Sequence, residues 1–331
     1  MLLLNENIIK ELYHIDEAIT HVKEVLLAKS NEQIENPLRT VIEFPEQKAS
    51  VLYMPSADHK KKYMTMKSVT IFPENVKKGR KTTQGVTLLA DATNGEHVCL
   101  MDASYLTRLR TGALSGIATD LYAREDAEVL TCIGTGGMAF EQVLGVLEVR
   151  NIKKINLVNR TLARAEQFKE KLIQFGIDPS IDITIIPYEE KAEAIKIADV
   201  VNCSTRSEDP VLLGKEVTEG THVNGVGSYL PHMREVDHDF ILKANKIIVD
   251  DFHGATEEAG ELIYANEQED WSYDKIHGEL MDAVVEKVSA RERPNEITFF
   301  KSVGSAYFDL AVATGVYEKA VKEGKGVKVD L

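Results

Sequence analysis

A glycine-rich segment with the pattern G-x-G-x-x-A directly follows a short apolar run in the middle of the chain. The run Val129–Ile133 reads as a strand, and a helical repeat of apolar residues begins at Phe140. A dinucleotide pyrophosphate requires this order of strand, turn and helix, because the turn brings N–H groups of a helix N-terminus to the phosphates. A βα turn that binds no ligand is the alternative. The predicted site comprises Gly134, Thr135, Gly136, Gly137, Met138 and Ala139.

The end of the second predicted strand indicates which dinucleotide would bind. NAD-binding versions of the motif usually carry Asp or Glu there to hold the ribose 2′-hydroxyl. This chain instead has Asn159, Arg160 and Thr161, with Arg164 one turn further on. Because Arg160 can pair with a 2′-phosphate and no carboxylate is present, the sequence favours NADP(H), with NAD(H) as the alternative. An ordinary exposed arginine at a helix start is the plainer interpretation of Arg160.

Three basic residues in the first third of the chain stand in unusual settings. Arg39 begins a predicted strand shortly after a proline. Lys67 interrupts the otherwise uncharged run YMTMKSVTIF, and Arg110 precedes small and apolar residues of a predicted helix. A lysine midway along a strand is costly to bury without a partner. Taken singly, each of the three is more simply explained as a solvated strand or helix residue.

Composition and charge narrow the class of protein. The 331 residues carry a formal net charge of −14, which argues against nucleic acid as a partner. An anionic substrate would therefore need a local concentration of positive charge.

No apolar stretch approaches the roughly 20 residues of a membrane helix, and the opening MLLLNENIIK predicts no signal peptide. The three cysteines lack metal-ligand spacing, so we expect reduced core residues, no metal site and a cytoplasmic protein.

The predicted elements change character near residue 112. Before it, a helix is predicted over 6–29, followed by strands at 39–44, 50–54, 63–70, 86–91 and 97–101, the last two joined by an Asn-Gly turn. After it, strands and helices alternate, which is typical of a parallel sheet. Predicted strands fall at 129–133, 154–159, 181–186, 199–203, 221–226, 246–250 and 297–301, with helices at 162–175 and 306–323.

This pattern predicts an α/β fold with two domains. Residues 113–304 would form a Rossmann-type doubly wound parallel sheet that binds the dinucleotide. Residues 1–112 would form an α+β domain. The final helix is mostly apolar on one face, so we expect it to pack back on this first domain. The α+β domain is therefore discontinuous and is completed by residues 305–331.

A series of different short motifs extends along nearly the full chain. The first part contains Arg39-Thr40, Tyr53-Met54-Pro55, Lys67, Phe72-Pro73-Glu74-Asn75, Gln84-Gly85 and Leu109-Arg110-Thr111-Gly112-Ala113. The later part contains the glycine segment, Cys203-Ser204-Thr205, Asn224-Gly225-Val226-Gly227-Ser228 and Lys301-Ser302-Val303-Gly304. Together these motifs resemble those of the ornithine cyclodeaminase/μ-crystallin family.

The resemblance implies a homodimer whose first domain, closed by the C-terminal helix, supplies dimer contacts and the substrate site. Arg39, Lys67 and Arg110 would bind a substrate carboxylate, with Lys67 nearest the reacting carbon. Physical chemistry agrees, because a guanidinium fixes a carboxylate in two places and an ammonium adds a movable donor. Tyr229 would contact the substrate. Further cofactor contacts would come from Ser204, Thr205, Val226, Gly227 and Ser302.

Family members cyclodeaminate ornithine to proline, dehydrogenate alanine or reduce cyclic imino acids. The first two branches carry an aspartate as acid/base just after the V-G-[GA] turn, where this chain has Tyr229. The cyclodeaminase also carries a glutamate before its Met-Pro pair, where this chain has Leu52-Tyr53. A tyrosine, with an unperturbed pKa of about 10, is a poor base at neutral pH. Both departures weaken the cyclodeaminase interpretation.

The sequence therefore favours NAD(P)H-dependent reduction of a small cyclic imino acid. Δ1-Pyrroline-2-carboxylate would give L-proline, or Δ1-piperideine-2-carboxylate would give L-pipecolate, by hydride transfer to C=N. One alternative is an ornithine cyclodeaminase or an alanine or other amino-acid dehydrogenase, with His232, His222 or Tyr229 as acid/base. Another is an NADPH-holding binding protein of the crystallin type. The presence of all three basic residues argues against this second alternative.

Overall fold

A computed structural model describes residues 1–330 and divides into two units. Unit 1 comprises residues 1–110 and the chain from residue 305 onwards, and unit 2 comprises residues 111–304. The sequence places the same transitions near residues 112 and 305. Among residues 1–330, none of the helices combines the length and the apolar character needed to span a bilayer.

The helices and strands follow one another in this order. The N-terminal part contains β1 (Leu2–Leu4), α1 (Glu6–Leu12), α2 (Ile15–Ser30), β2 (Ile34–Glu35), β3 (Thr40–Phe44), β4 (Ala49–Asp58), β5 (Tyr63–Ile71), β6 (Thr83–Asp91) and β7 (His97–Asp102). The middle contains α3 (Ala103–Tyr122), β8 (Val129–Ile133), α4 (Ala139–Val149), β9 (Lys154–Asn159), α5 (Leu162–Phe175), β10 (Asp182–Pro187), α6 (Lys191–Lys196), β11 (Val200–Cys203), β12 (His222–Gly225), α7 (His238–Lys243), β13 (Lys246–Val249), α8 (Phe252–Glu258), α9 (Gly260–Asn266), β14 (Gly278–Glu279), α10 (Leu280–Val284) and β15 (Thr298–Lys301). The chain then forms α11 (Ala306–Glu323) and β16 (Val327–Lys328).

Unit 1 is built on a mainly antiparallel sheet covered on one face by helices. Across residues 1–330 the strand order is β16-β1-β7-β6-β5-β4-β2, and β3 also pairs with β4. Helix α11 packs on α2 and on β4, β5 and β6. Met54, Lys67 and Thr87 lie opposite one another on the covered face, where all three are buried. Helix α11, where the sequence predicts a helix over 306–323, thus packs against the first part of the chain.

The helix predicted over residues 6–29 is wrong in one respect, because the structure has two helices there. Helix α1 ends at Leu12 and α2 starts at Ile15. Tyr13 is fully buried and its hydroxyl lies 2.5 Å from Nδ1 of His21. The backbone N–H of His14 donates to Glu17 at 3.2 Å, which caps the second helix. These contacts stabilise the break between the two helices, although the apolar repeat continues through it.

Strand β4 is longer than predicted, because Pro55 does not end it. β3 pairs with residues 49–53 of β4, and β2 pairs with residues 57 and 58. The intervening part of β4, which includes Pro55, therefore has no strand partner on that side. A proline is tolerated where no ladder hydrogen bond is required of it.

Unit 2 is a doubly wound parallel sheet, as the sequence predicts. Across the described residues the strand order is β10-β9-β8-β11-β12-β15-β13-β14, and neighbouring strands are parallel. From β8 the chain proceeds to β9 and β10 on one side, and then returns to β11 on the other side. The C-terminal ends of β8 and β11 therefore form the topological switch point, where open α/β sheets bind their ligands. The predicted Rossmann-type α/β fold is confirmed.

Candidate active site

The glycine segment lies between β8 and α4 at the switch point. Gly134 has φ +92°, and a Cβ atom there would lie 2.9 Å from the carbonyl oxygen of Ser204, so this position requires glycine. Gly136 and Gly137 are exposed, and a Cβ atom on either would have no heavy atom within 4 Å. Met138 provides no side-chain cap to α4, and the N-terminus of a helix carries a partial positive charge that favours an anion.

Two buried hydroxyl groups beside this turn lack a hydrogen-bond partner within residues 1–330. They are Oγ1 of Thr135, in the glycine turn, and Oγ of Ser204, which follows β11. Buried polar atoms in native proteins are nearly always paired, so unsatisfied ones call for an explanation. A polar ligand bound at the switch point would explain why these two hydroxyl groups are unpaired. The open glycines, the uncapped helix and the two hydroxyls together fit the pyrophosphate part of a dinucleotide.

The end of β9 presents exposed basic residues. The guanidinium of Arg160 lies 5.2 Å from the ring centroid of Tyr188, which follows the neighbouring strand β10. Asn159 donates its side-chain N–H to the carbonyl of Thr161 at 2.9 Å, so it shapes the turn into α5. Arg160, Thr161 and Arg164 are exposed. Their contact with the ribose end of a cofactor stays a prediction.

Lys67 and Arg110 come together in unit 1 around one carboxylate, that of Asp309. Nζ of Lys67 lies 2.6 Å from Oδ2 of Asp309, and Nε of Arg110 lies 3.7 Å from Oδ1. Lys67, Arg110 and Asp309 are 3%, 6% and 1% exposed. The hydroxyl of Thr107 lies 3.3 Å from Nζ of Lys67. A lysine on β5, an arginine on α3 and an aspartate on α11 thus form one buried cluster.

Charges in this cluster explain the protonation state of Lys67. Burial, together with the nearby charges of Arg110 and Arg39, lowers the pKa of Lys67 to about 8, although Asp309 raises it. The half-buried Arg39 therefore lies within electrostatic range of the cluster. Lys67 and Arg110 are two cations that share the single carboxylate of Asp309, which leaves an excess of positive charge in the cluster. A small carboxylate requires such a site in a chain with a net charge of −14.

Asp309 was not predicted, although the sequence contains a signal for it. It is the one acidic residue in the run AYFDLAVATG of α11, whose residues Ala306 to Val316 are all buried. A carboxylate in such a face must be paired or neutralised. That condition indicates a cationic partner on another element, but not which one.

The segments after β11 and β12 are joined by a second residue that was not predicted, Glu235. Its carboxylate accepts hydrogen bonds from Thr205 and from the backbone N–H of Gly227. Val226 is buried in the same turn. Ser302 donates its hydroxyl to Asp250 at 2.6 Å. Cofactor contacts from these predicted residues stay predictions.

The three residues considered as acid/base groups have different settings. His222 is fully buried, with Nδ1 2.9 Å from Oγ1 of Thr298 and Nε2 3.0 Å from Oδ1 of Asn224, so both ring nitrogens are engaged inside unit 2. The ring of Tyr229 is half-buried, and its centroid lies 5.8 Å from the guanidinium of Arg206. His232 is exposed.

Comparison with known proteins agrees with the residue patterns. The model of the ornithine cyclodeaminase/mu-crystallin family matches residues 1–324. A Δ1-pyrroline-2-carboxylate reductase of Bacillus cereus is 37% identical over 332 residues, covering 100% of both chains. The solved Δ1-pyrroline-2-carboxylate reductase of Thermococcus litoralis, in complex with NADH and L-proline, superposes with a TM-score of 0.94 at 35% identity and covers 99% of this chain and 100% of its own. An archaeal alanine dehydrogenase dimer with bound NAD gives a TM-score of 0.91 at 31% identity, covering 100% and 99%.

Proposed function

Because the chain belongs to the ornithine cyclodeaminase/μ-crystallin family, we propose that it is an NAD(P)H-dependent reductase of Δ1-pyrroline-2-carboxylate, which it converts to L-proline. The observation that carries this assignment is the buried cationic cluster of Lys67 and Arg110 in unit 1. It offers more positive charge than Asp309 neutralises, as a small carboxylate substrate requires. Full-length similarity to reductases of the same imino acid supports it.

Unit 1 supplies the groups that bind and orient the substrate. The guanidinium groups of Arg110 and Arg39 fix the carboxylate, which sets the orientation of the adjoining C=N carbon. Lys67 is an ammonium group at neutral pH, since its pKa is about 8. It donates a hydrogen bond to the substrate. When the C=N group has been reduced, Lys67 can supply the proton that the product nitrogen takes up.

Unit 2 supplies the residues that hold the dinucleotide. The glycine segment and the N-terminus of α4 bind the pyrophosphate, and the unpaired hydroxyls of Thr135 and Ser204 contact its oxygens. When bound, the nicotinamide provides the hydride. Thr205, Val226 and Gly227, at the ends of β11 and β12, line the part of the cofactor site that holds the nicotinamide.

We further propose that NADP(H) is preferred over NAD(H). The absence of a carboxylate at the end of β9 and the exposed guanidinium of Arg160 support this preference. Arg160→Ala should weaken NADPH binding by about 1.5–3 kcal/mol, as for a charged hydrogen bond, and leave NADH binding unchanged. Lys171→Ala, an exposed position on α5, the helix that follows Arg160, controls for net charge. Equal losses for both cofactors would remove Arg160 from this role.

A homodimer in the cytoplasm completes the proposal. The sheet face of unit 1 opposite α11 exposes apolar side chains, among them Tyr53, Met66 and Val86 at 36%, 40% and 45%. An apolar face of this kind on a folded chain is typical of a protein–protein interface. The three cysteines of the described chain are free and buried, which supports a reducing compartment.

One assay panel tests the function directly. NADPH and NADH oxidation would be measured with Δ1-pyrroline-2-carboxylate, Δ1-piperideine-2-carboxylate, and pyruvate plus ammonia, and ammonia release would be measured from L-ornithine with NAD⁺. We expect the highest kcat/KM with a cyclic imine and no ammonia from ornithine. Lys67→Met is the matched control, because it removes the charge and shortens the unbranched side chain by only one atom. Ammonia and proline formed from ornithine with catalytic NAD⁺, or preferred turnover of pyruvate, would overturn the proposal.

A further inference from the structure

Glu235 is fully buried beside the C-terminal ends of β11 and β12 and binds the segments that follow both strands. Oε1 accepts the backbone N–H of Thr205 at 2.5 Å and its hydroxyl at 2.8 Å. Oε2 accepts the backbone N–H groups of Gly227 at 2.7 Å and Ser228 at 3.3 Å. One carboxylate therefore fixes two loops relative to each other.

The loops that Glu235 joins are in direct backbone contact. A Cβ atom on Gly227 would lie 2.1 Å from the carbonyl oxygen of Thr205 and 2.2 Å from its nitrogen, so no side chain fits there. Thr205 also borders the glycine turn, because a Cβ atom on Gly134 would lie 2.9 Å from Cγ2 of Thr205. The position of Thr205 thus sets the spacing of three strand ends at the switch point.

A buried ion pair supports the second loop from inside the unit. Nζ of Lys301 donates to the carbonyl oxygen of Ser228 at 2.6 Å and lies 3.0 Å from Oε1 of Glu261. The hydroxyl of Ser228 donates to Glu261 at 3.0 Å. Glu235, Lys301 and Glu261 are at most 1% exposed. Apolar residues usually serve stability at least as well as such a cluster, so its position at the ligand edge of the sheet points to a functional demand.

We propose that Glu235 is the positioning residue for the nicotinamide end of the dinucleotide site, because it ties Thr205 to Gly227. The side-chain hydrogen bonds of Glu235 go to Thr205, Gly227 and Ser228 and not to the glycine turn or α4, which bind the pyrophosphate. The inference rests on the proposed cofactor, but not on the proposed substrate. Hydride transfer is sensitive to such positioning, since a misplacement of about 1 Å can reduce the rate 100-fold.

Comparison of two ligands isolates this role. ADP-ribose shares the adenosine and pyrophosphate of NADH but lacks the nicotinamide. Glu235→Gln removes the charge and replaces one acceptor oxygen with a donor group that faces N–H groups. We expect a several-fold higher Kd for NADH, an unchanged Kd for ADP-ribose, and a kcat about 10- to 100-fold lower with the preferred imine. Both Kd values would be measured by fluorescence titration and calorimetry.

Asp237→Asn is the matched control. Asp237 lies two residues further along in the same unit, and its Oδ1 also bridges backbone N–H groups, those of Gly214 at 2.8 Å and Phe240 at 2.9 Å. These groups belong to the region around α7 and not to the loops after β11 and β12. We expect this variant to lower the melting temperature without a selective loss of NADH binding.

Two outcomes would overturn the proposal. Equal weakening of ADP-ribose and NADH would show a merely structural role, and unchanged NADH binding and kcat would show no role. If Glu235→Gln does not fold, Glu235→Asp keeps the charge but shortens the reach, and it should show the same selective loss. A wild-type protein that binds NADH but reduces neither cyclic imine would reject the proposed substrate, while the two Kd values would still decide the role of Glu235.

Discussion

The charge of Lys67 depends on a single carboxylate on a distant part of the chain. Asp309 is the neighbour that raises the pKa of Lys67, whereas burial, Arg110 and Arg39 all lower it. Arg110 shares the same carboxylate at 3.7 Å. Asp309 therefore sets the protonation state of Lys67 and the placement of both cations.

We predict that Asp309→Asn moves the alkaline limb of the kcat/KM profile to lower pH. The loss of the raising influence lowers the pKa of Lys67 below about 8, so the ammonium form disappears earlier as the pH rises. Breaking a buried pair should also reduce the free energy of unfolding by about 3–5 kcal/mol. Both effects are measured by pH-dependent kinetics and by urea denaturation.

Lys319→Ala on the same helix is the control for this prediction. Lys319 pairs with Glu17 at 2.8 Å, but both side chains are more than a quarter exposed. Exposed pairs contribute about 0–1 kcal/mol, so neither the pH profile nor the stability should change much. An Asp309→Asn protein with an unmoved alkaline limb would show that Lys67 is not the group that titrates.

Lys67 and Arg110 stand out in the sequence, whereas the partners of the buried carboxylates do not. Lys67 stands out because it interrupts an uncharged strand, and Arg110 because apolar helix residues follow it. Glu235 looks like an ordinary acidic residue in a chain that has 53 Asp and Glu residues, and the apolar run around Asp309 indicates burial but not the partner. Their burial depends on contacts with distant segments, as in the separation of 242 residues between Lys67 and Asp309. Local patterns do not contain that information.

At the scale of elements, two glycines near the cofactor site have opposite tasks. A Cβ atom on Gly145 would lie 2.1 Å from the carbonyl oxygen of Gly112, because α4 and α3 pack backbone to backbone. A Cβ atom on Gly136 would meet no heavy atom within 4 Å. One glycine therefore permits helix packing, and the other keeps space open in front of the proposed phosphate site.

We predict that Gly145→Ala and Gly136→Ala separate stability from binding. Gly145→Ala should lower the free energy of unfolding by about 1–3 kcal/mol or more, as overpacking does. Gly136→Ala should melt like the wild type without ligand, but bind NADH and NADPH more weakly, since its methyl group occupies the approach to the phosphates. Calorimetry without ligand and titration with cofactor measure the two effects. A Gly136→Ala protein with full cofactor affinity would contradict the assignment of the turn.

Element boundaries follow from sequence where the pattern is local and fail where partners decide. Strand β8, strand β9, helix α5 and helix α11 have the predicted bounds, because each carries its own apolar repeat and stop signal. The break at Tyr13 and the extension of β4 past Pro55 depend on His21 and on which strands flank β4. Neither could be read from the local repeat.

At the scale of the whole molecule, the buried His222 of unit 2 reduces the free energy of unfolding in acid. Burial and, to a smaller extent, the charge of Arg291 lower the pKa of His222 from 6.5 to about 3. Below about pH 6.5 the unfolded chain therefore binds a proton that the folded chain does not. Stability falls as the pH decreases from about 6.5 to about 3, by up to about 1.4 kcal/mol per pH unit.

We predict that His222→Gln removes this part of the acid sensitivity. The variant should be less stable than the wild type at pH 7, because it disturbs the contacts with Thr298 and Asn224. The difference should narrow as the pH falls toward 4. Urea denaturation at pH 7, 5 and 4 measures it, with His253→Gln as the exposed control. A constant difference across this range would show that His222 does not titrate with folding.

The discontinuity of unit 1 has a consequence for how the protein is made. Lys67 leaves the ribosome 242 residues before Asp309, an interval of roughly 12–50 s at typical rates of synthesis. During that time the sheet face that carries Met54, Lys67 and Thr87 has no α11 to cover it. Unit 2 is continuous in sequence, so all of it emerges before α11 is complete. A nascent chain thus exposes this sheet face of unit 1 to chaperones and proteases until α11 has been translated.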